Sequence, residues 1–161
     1  KRSASKPSQG HKVVATNRRA FHDYFIEDRI EAGLVLRGTE IKSIREGRVN
    51  LRDAYARVDR GEAWLVNAHI APYLQGSWTN HEPLRDRKLL LHKSQIAALA
   101  RQASQRGQTI IPLQLYLKDG RAKVELAVAH GKREYDKREA IARRDAEREI
   151  ERGVRSRSRE S

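Results

Sequence analysis

The sequence predicts a mainly β fold arranged as a small antiparallel barrel, and three observations support this prediction. About six strand-like segments with alternating apolar residues follow one another along the chain. The helical segments between them are short, and the strand–helix–strand spacing typical of a parallel sheet is not present. With only two Trp and two Phe, the core that these strands bury must be mostly aliphatic.

The first long strand is predicted over residues 21–38. Side chains of alternating character run from Phe21 to Ile26, and the pattern resumes at Leu34. A glycine inside a strand often marks a bulge, so we expect this strand to bend near Glu31–Gly33.

A short helix and a hairpin are predicted next. Residues 38–47 break the alternation and fit one or two helical turns, with Thr39 able to cap the helix and Gly47 able to end it. Two strands, at about 54–59 and 62–67, then flank the sequence DRGE, whose glycine suits a tight turn.

The clearest helical pattern follows a loop. Residues 71–87 contain Pro, Gly, Asn and Ser and are predicted to be irregular. Residues 94–107 predict a helix that begins at the N-cap Ser94 and ends at Gly107. One face of this helix is apolar and consists of Ile96, Leu99, Ala100 and Ala103.

The last predicted unit is a hairpin in which TIIPLQLYL and AKVELAVA flank Asp119-Gly120, a pair typical of a type I′ turn. Pro112 cannot donate a ladder hydrogen bond and indicates an edge or a bulge. The other face, with Tyr116 and Gln114, is expected to be wet. The aliphatic face is expected to pair Leu117 with Ala122, Leu115 with Val124, Leu113 with Leu126, and Ile111 with Val128.

The charge distribution divides the chain into three parts. Residues 1–16 are predicted to be a flexible basic arm, 17–130 the barrel, and 131–161 a charged tail that is disordered when free. The first twenty residues contain six Lys and Arg and no acid, whereas the middle of the chain is nearly balanced. An OB-type barrel with six strands and about three short peripheral helices fits this size and charge, although the spacing alone also permits an SH3-like barrel or an open sheet.

The net charge of +13 and the pI near 10.5 indicate a polyanionic partner. We expect RNA rather than a membrane, because no basic segment carries a strong apolar face and no long apolar run is present. The N-terminus lacks the apolar region of a secretory signal. The absence of cysteine excludes disulfides and thiolate metal sites and is consistent with a reducing cytoplasm.

Motifs for chemistry are weak. The sequence RGTEIKS resembles a phosphate loop, but Ile41 stands where the second glycine is required. The six histidines are scattered without a short ligand spacing, so we expect no metal and no cofactor. No nucleophile elbow is present, and we expect a protein that is not an enzyme. The segment RDRKLLLHKS fits equally a buried strand between basic flanks and a phosphate-contacting rim with an apolar centre.

Several longer stretches resemble the SmpB, or SsrA-binding protein, family. They are NRRAFHDYFIEDRIEAGLVLRGTEIKSIREGRVNLRDAYA, GEAWLVNAHIAPY, NHEP, RKLLLHK, GQTIIPLQLYLKDGRAKVELAVAHGK and DKRE, in the same order and over about residues 17–148. The resemblance implies an OB-type barrel that binds the tRNA-like domain of transfer-messenger RNA (tmRNA) and delivers it to the vacant A site of a stalled ribosome. The tail would lie in the empty mRNA channel, and the protein would act as a monomer in the cytoplasm, without DNA or a membrane.

Site residues follow from the resemblance only. For tmRNA it implies Asn17, Arg18, Glu31, Lys42, Ser43, Arg45, Arg87, Lys88, Leu90 and His92. For the decoding centre and mRNA channel of the ribosome it implies Gly131, Lys132, Arg133, Tyr135, Asp136, Lys137 and Arg138. Arg133 replaces the usual second lysine of this motif, and Tyr135 keeps a ring that can stack on a base.

The tail has a pattern of its own. Apolar residues recur every four positions over 138–154, which permits a helix, but the stripe is too thin to stabilise a free one. We therefore expect disorder in the free protein and a helix on the ribosome, while a permanently solvated tail remains open. An RNA-processing enzyme and a general single-strand binder are the competing functions, and the scarcity of aromatic residues disfavours the second.

Overall fold

The computed structural model describes residues 11–73, 80–132 and 143–153. Its strands are β1 (His11–Thr16), β2 (Tyr24–Leu34), β3 (Val49–Asn50), β4 (Tyr55–Asp59), β5 (Glu62–Val66), β6 (His69–Ile70), β7 (Arg87–Leu90), β8 (Gln108–Lys118) and β9 (Arg121–Gly131). Its helices are α1 (Arg18–Asp23), α2 (Gly38–Arg45), α3 (Lys93–Ala103) and α4 (143–153).

Six strands close into a ring. The order is β8–β4–β5–β7–β2–β9, and β9 pairs again with β8, so the sheet has no open edge within the ring. Every pairing is antiparallel. This confirms the predicted six-stranded antiparallel barrel with short peripheral helices. β1 lies outside the ring, beside β4, and pairs with the second half of β8.

The interior of the barrel is aliphatic, as the scarcity of aromatic residues predicted. Alternate residues of the strands point inward, and Leu65, Leu89, Leu115 and Val124 are at most 1% exposed. Ile96 and Leu99 of α3 join the same cluster and cover one end of the barrel, while the predicted partner Ala103 packs at its margin. Burying each of these large aliphatic side chains contributes about 1.5–3 kcal/mol.

The β8–β9 hairpin has the predicted turn and half of the predicted register. Asp119 and Gly120 both have positive φ, 51° and 77°, as a type I′ turn requires. Leu117 pairs with Ala122 and Leu115 with Val124, as expected. Beyond that point the predicted pairs are wrong, because a bulge between Pro112 and Gln114 shifts the strand by one residue.

The bulge produces a second, smaller cluster. Val128 pairs with Ile110 instead of Ile111, so Ile110 enters the barrel core. Ile111 and Leu113 point to the other side, where they pack with Ala20 of α1 and with Ala127 and Ala129 of β9. The bulge that Pro112 indicated therefore gives α1 its apolar contact surface.

The predicted strand over 21–38 is wrong at its start and in the position of its bulge. Residues up to Asp23 belong to α1, because Asn17 caps this helix and Ala20 is buried beneath it. The bulge lies between Ile26 and Arg29 instead of near Gly33. The glycine has a different role, since a Cβ added to Gly33 would lie 3.1 Å from Leu90 Cβ.

Other boundaries differ by a few residues. The DRGE turn is confirmed, with Arg60 and Gly61 at positive φ. The predicted N-caps are wrong, because α2 begins after Arg37 and α3 after His92. Gly47, at a φ of 74° directly after the C-cap Glu46, ends α2 as predicted. The small β3–β6 sheet was not predicted, because each strand has only two residues.

The predicted N-terminal arm is too long. His11–Thr16 form β1, which pairs with β8 across five Cα partners, so the flexible boundary at residue 16 is wrong and residues 1–10 lie outside the described structure. At the other end, α4 is helical and all of its residues are exposed. Its disorder in the free protein stays a prediction.

Candidate RNA interface

Three residues that the family resemblance assigned to RNA are buried and make contacts within the fold, so their contact with RNA stays a prediction. Asn17 is 5% exposed; its Oδ1 accepts from the Ala20 N–H at 3.3 Å, and its Nδ2 donates to the Pro112 carbonyl at 2.9 Å. Ser43 is fully buried on the inner side of α2. Arg87 is also fully buried, so its guanidinium is shielded from solvent.

Arg87 belongs instead to a buried ionic cluster, formed by Glu40, Arg85 and Arg87. Glu40 Oε2 accepts from Arg87 Nε at 2.6 Å, and Glu40 Oε1 accepts from Arg85 Nη2 at 2.5 Å. Arg87 Nη1 also donates to the Ala68 carbonyl at 2.5 Å. The cluster ties α2 to β7, so it fixes both elements that carry the exposed basic residues.

The charged state of Glu40 is maintained by its partners. Burial opposes ionisation, but hydrogen bonds from Arg85, from the Arg37 N–H and from Arg87 hold the pKa of Glu40 below its ordinary value. A buried carboxylate with this many donors is a structural group, because none of its oxygens faces solvent.

A second group of predicted residues lies together on the outside of the barrel. We call this surface the outer face; it comprises the outward side chains of β7, β2, β9 and β8, namely Arg29, Glu31, Lys88, Leu90, Tyr116, Lys118, Lys123 and Glu125. Leu90 is opposite Gly33 on the neighbouring strand. Because Gly33 has no side chain, Leu90 and the Lys123 ammonium can both lie close to it, and a Cβ there would be 3.1 Å from Leu90 Cβ and 3.6 Å from Lys123 Nζ.

The outer face has one exposed apolar side chain, that of Leu90, among charged ones. Leu90 is 53% exposed, an unusual position for a leucine in a strand. Lys118 Nζ lies 3.8 Å from Glu31 Oε1, and Lys88 Nζ lies 3.2 Å from Glu62 Oε1. An exposed apolar side chain among lysines can contact a sugar or base while the ammonium groups bind phosphates.

The outer face also contains residues that the resemblance did not assign. They are Arg29, Tyr116, Lys118, Lys123 and Glu125, and only the alternation along β2 and the β8–β9 hairpin could have indicated this. That alternation led us to expect a wet face, which is correct for Lys123. It is wrong for Tyr116, which is 3% exposed.

Two further groups of predicted residues are accessible. Lys42 and Arg45 are exposed on α2, and Lys42 Nζ lies 5.2 Å from the ring centre of Tyr73. His92 is exposed at the N-cap of α3, where its N–H donates to Gln95 Oε1 at 2.9 Å. His92 lies between Leu90, the last residue of β7, and Lys93, the first residue of α3, so the two predicted residues flank the same strand end.

Another basic surface lies where β9 ends. We call it the tail-junction groove; it has a volume of about 1290 Å³ and is lined by Arg18, Arg19, His22, Asp23, Tyr24, Arg52, Gly107, Gln108, Thr109, Gly131 and Lys132. Four of these residues are Arg or Lys and one is acidic. Of the predicted ribosome-binding residues, Gly131 and Lys132 lie here, whereas Arg133, Tyr135, Asp136, Lys137 and Arg138 lie outside the described residues.

Two phenylalanines beside this groove were missed as surface residues. Phe21 and Phe25 are 44% and 38% exposed. Arg29 lies 5.8 Å from the ring centre of Phe21, and Lys132 Nζ lies 5.4 Å from that of Phe25. The sequence pattern placed both rings on one face of a strand. Phe25 is indeed in β2, whereas Phe21 is in α1.

Neither a cluster of metal ligands nor a membrane-spanning helix is found among the described residues. Among residues 11–73, 80–132 and 143–153, no three His, Asp or Glu side chains come together as metal ligands. In the same ranges, every helix is too short or too polar to cross a bilayer.

The fold and these surfaces define a class of protein before any comparison. A closed six-stranded barrel with an excess of basic side chains on its surface is typical of small RNA-binding barrels. A family model described as SmpB protein matches residues 14–156. The chain belongs to the SmpB family.

Similar proteins agree with this membership. The SsrA-binding protein of Desulfitobacterium hafniense is 59% identical over 148 residues, which are 92% of this chain and 95% of the relative. The SsrA-binding protein of Caldicellulosiruptor saccharolyticus is 63% identical over 139 residues, 86% of this chain and 88% of the relative. That of Geobacillus kaustophilus is 59% identical over 151 residues, with coverage of 94% and 97%.

A solved structure agrees as well. A chain from a structure of tmRNA–SmpB and the bacterial ribosome superposes with a TM-score of 0.64 and 48% sequence identity. The match covers 73% of this chain and 83% of the solved one.

Proposed function

We propose that this protein binds the tRNA-like domain of tmRNA and delivers it to the A site of ribosomes that lack a codon there. The observation that carries the proposal is the match to SsrA-binding proteins at 59% identity over 92% of this chain. The solved relative, which is associated with tmRNA and the ribosome, supports the same two partners. The protein acts by binding and carries out no bond chemistry.

The outer face is the proposed tmRNA-binding surface. Glu31, Lys88 and Leu90 lie on adjacent strands there, and His92 follows them at the start of α3. Their side chains offer one carboxylate, one ammonium, one apolar group and one imidazole, which suits a folded RNA that presents both phosphates and base edges. Lys42 and Arg45 extend the basic surface on α2, which the ionic cluster holds against β7.

The tail-junction groove and the residues after it are the proposed ribosome-binding part. The chain leaves the barrel at Gly131–Lys132, beside Arg18, Arg19 and Arg52. In this proposal, the tail enters the empty mRNA channel, where phosphate contacts replace a hydrophobic core. Because its partners are ribosomal, the protein works in the cytoplasm, as a monomer on the RNA.

A matched pair of leucines tests the tmRNA surface. Leu84 and Leu90 are 51% and 53% exposed, so replacing either one with alanine removes the same group at the same exposure. We expect Leu90→Ala to weaken binding to the tRNA-like domain by about tenfold, as for the loss of one well-packed contact, and Leu84→Ala to leave it unchanged. Filter binding with the isolated domain measures both.

The outcome distinguishes sites and functions. Equal affinities of the two variants would show that the outer face is not the RNA-binding surface. If the wild-type protein did not bind the tRNA-like domain at all, the function itself would be wrong. Turnover of structured RNA by the purified protein would instead favour an RNA-processing enzyme.

A further inference from the structure

Glu31 raises a question that its proposed role does not answer. A carboxylate on an RNA-binding surface is repelled by phosphates, so it contributes only where it accepts hydrogen bonds from a base amino or imino group or from a 2′-hydroxyl. Such a contact requires a fixed orientation, because an exposed glutamate otherwise samples many rotamers. The structure shows what restricts Glu31.

The hydroxyl of Tyr116 donates a hydrogen bond to Glu31 Oε2. The two residues are not on neighbouring strands. Tyr116 is on β8 opposite Lys123 of β9, and Glu31 is on β2 opposite Glu125 of β9. The tyrosine side chain therefore reaches across β9, and Lys118 Nζ completes the surroundings at 3.8 Å from the other carboxylate oxygen.

Tyr116 is itself held by the N-terminal strand. Val13 of β1 pairs with Tyr116, and the ring of His11 stacks on it with centroids 4.5 Å apart and planes inclined by 9°. Tyr116 is consequently 3% exposed, although it is on the outside of the barrel. Burial and the Glu31 carboxylate raise the pKa of Tyr116 above its ordinary value, so the hydroxyl stays a donor.

The rest of Glu31 remains accessible, with its side chain 41% exposed. One oxygen is fixed by the tyrosine, and the remaining lone pairs face solvent on the outer face. This arrangement is that of a preorganised acceptor rather than of a closed ion pair. The buried Glu40 offers the contrast, since both of its oxygens are used within the protein.

We propose that Tyr116 is a positioning residue for RNA recognition, which holds the Glu31 carboxylate to accept hydrogen bonds from a base amino or imino group or a 2′-hydroxyl. In this role β1 contributes indirectly to RNA binding, because it covers Tyr116 and restrains its ring. The inference rests on the proposed function, in which Glu31 contacts the tRNA-like domain.

A double-mutant cycle tests whether Tyr116 acts through Glu31. The variants are Tyr116→Phe, Glu31→Ala and the double variant, and the measurement is filter binding to the tRNA-like domain over a range of salt concentrations. We expect Glu31→Ala to weaken binding by roughly 10- to 100-fold and Tyr116→Phe by about 3- to 10-fold, as for hydrogen bonds that involve a charged group. The double variant should bind no more weakly than Glu31→Ala.

Two further readouts separate positioning from general structural damage. The slope of affinity against salt should be unchanged in Tyr116→Phe, because no phosphate contact is altered. Tyr55, which is 38% exposed on β4, controls for the loss of a tyrosine hydroxyl outside the outer face, and Tyr55→Phe should bind as the wild type does. His11→Ala, which leaves the Tyr116 hydroxyl in place, should weaken binding less than Tyr116→Phe, and not at all in the Glu31→Ala background.

The inference is wrong if Tyr116→Phe binds like the wild type while Glu31→Ala does not, or if the two effects add. Both results would leave the proposed function intact. If Glu31→Ala binds normally, the contact of Glu31 with RNA and the positioning role of Tyr116 are both wrong. Only a wild-type protein that fails to bind the tRNA-like domain would overturn the function itself.

Discussion

Glu31 on β2 and Glu40 on α2 are close in sequence, yet their carboxylates have different surroundings in the fold. Glu40 is fully buried and hydrogen-bonds two arginines within the protein. Glu31 is 41% exposed, and its protein partners are a tyrosine hydroxyl and a more distant lysine. The first charge is part of the fold, whereas the second remains available to a ligand.

The comparison shows that residue type and motif do not decide whether a charge is used within the fold or stays accessible to a ligand. Arg87 and Lys88 are adjacent in a basic motif, but β7 directs Arg87 inward to Glu40 and Lys88 outward to solvent. Successive side chains of a strand point to opposite faces, which separates the buried Arg87 from the accessible Lys88. When both faces carry charged residues, the sequence alone does not show which face is turned to the core.

The largest expected effect comes from removing the buried charge. Glu40→Ala leaves Arg85 and Arg87 without their carboxylate, and Arg87 remains fully buried. We expect the free energy of unfolding to fall by about 3–5 kcal/mol, the range for breaking a buried pair on one side. Urea denaturation measures the loss.

An exposed ion pair provides the control for this variant. Glu62 accepts from Lys88 at 3.2 Å, but both side chains are more than 40% exposed. Glu62→Ala should therefore change stability by no more than about 1 kcal/mol. Similar losses for the two variants would contradict the structural role given to the Glu40 cluster.

The second prediction concerns pH. Because the pKa of Glu40 is held below its ordinary value, its ionic contribution is fully present at neutral pH and is lost as the pH falls through the lowered value. Glu40→Gln, which cannot ionise, should lack this part of the acid dependence. The free energy of unfolding of the wild type should exceed that of Glu40→Gln at neutral pH, and we expect this gap to narrow between about pH 5 and about pH 2. The narrowing should be smaller than the total loss of stability in Glu40→Ala.

Urea denaturation of both proteins across this range provides the test. Taking the difference between them removes the contributions of other carboxylates, such as Asp23, whose pKa is lowered by its hydrogen bonds with His22 and Arg19. A gap that stays constant with pH would mean that folding leaves the pKa of Glu40 unchanged, and a gap that widens as the pH falls would mean that Glu40 is protonated in the folded protein.

The barrel was predictable because its signals are local. Alternation in β8 and β9 and the Asp119-Gly120 turn are sufficient to define the final hairpin. The register beyond Leu115 was not, because Pro112 indicated an edge or a bulge without showing that one extra residue would turn Ile111 and Leu113 towards Ala20. α1 was missed for the same reason, since six residues carry too little periodicity to outweigh the alternation around Phe21 and Phe25.

The site was predictable in composition but not in geometry. The motif resemblance identified Glu31, Leu90 and His92, all of which are exposed. It also included Asn17 and Arg87, whose burial follows from the bulge carbonyl at Pro112 and from the cluster around Glu40. Tyr116 lies within one of the resembling stretches but was not assigned to RNA, because its contact with Glu31 depends on the two strands being neighbours of β9.

A smaller effect is expected where two strands of the outer face approach each other. A Cβ at position 33 would lie 3.1 Å from Leu90 Cβ, an atom fixed by the backbone of β7. Gly33→Ala should therefore cost about 1 kcal/mol and displace Leu90, as overpacking does. We expect weaker binding to the tRNA-like domain, measured at a temperature at which the variant is fully folded.

Gly38 provides the matched substitution. Apart from its chain neighbours and the backbone of α2, no described atom lies within 4 Å of the Cβ position at Gly38, and alanine at this helical position favours the helix by up to about 1 kcal/mol. Gly38→Ala should thus keep its affinity and lose no stability. If Gly33→Ala also binds normally, the close approach of β2 and β7 is not needed for RNA recognition.

The smallest effect on stability is expected from the largest deletion, a chain that ends at Lys132. The cut preserves Gly131, which pairs with Tyr24 in the ring, and Lys132, whose ammonium donates to the Phe21 carbonyl. It removes ten basic and eight acidic residues, and the described part of the removed segment is the fully exposed α4. The free energy of unfolding should change by no more than about 0.5 kcal/mol, as for surface changes elsewhere, and affinity for the tRNA-like domain should be kept because the outer face is intact. Peptide tagging by this truncated chain, on a message without a stop codon, should nevertheless fail, since the proposed occupant of the mRNA channel is missing. Parallel loss of RNA binding and tagging in this truncated chain would show instead that barrel and tail form one binding surface.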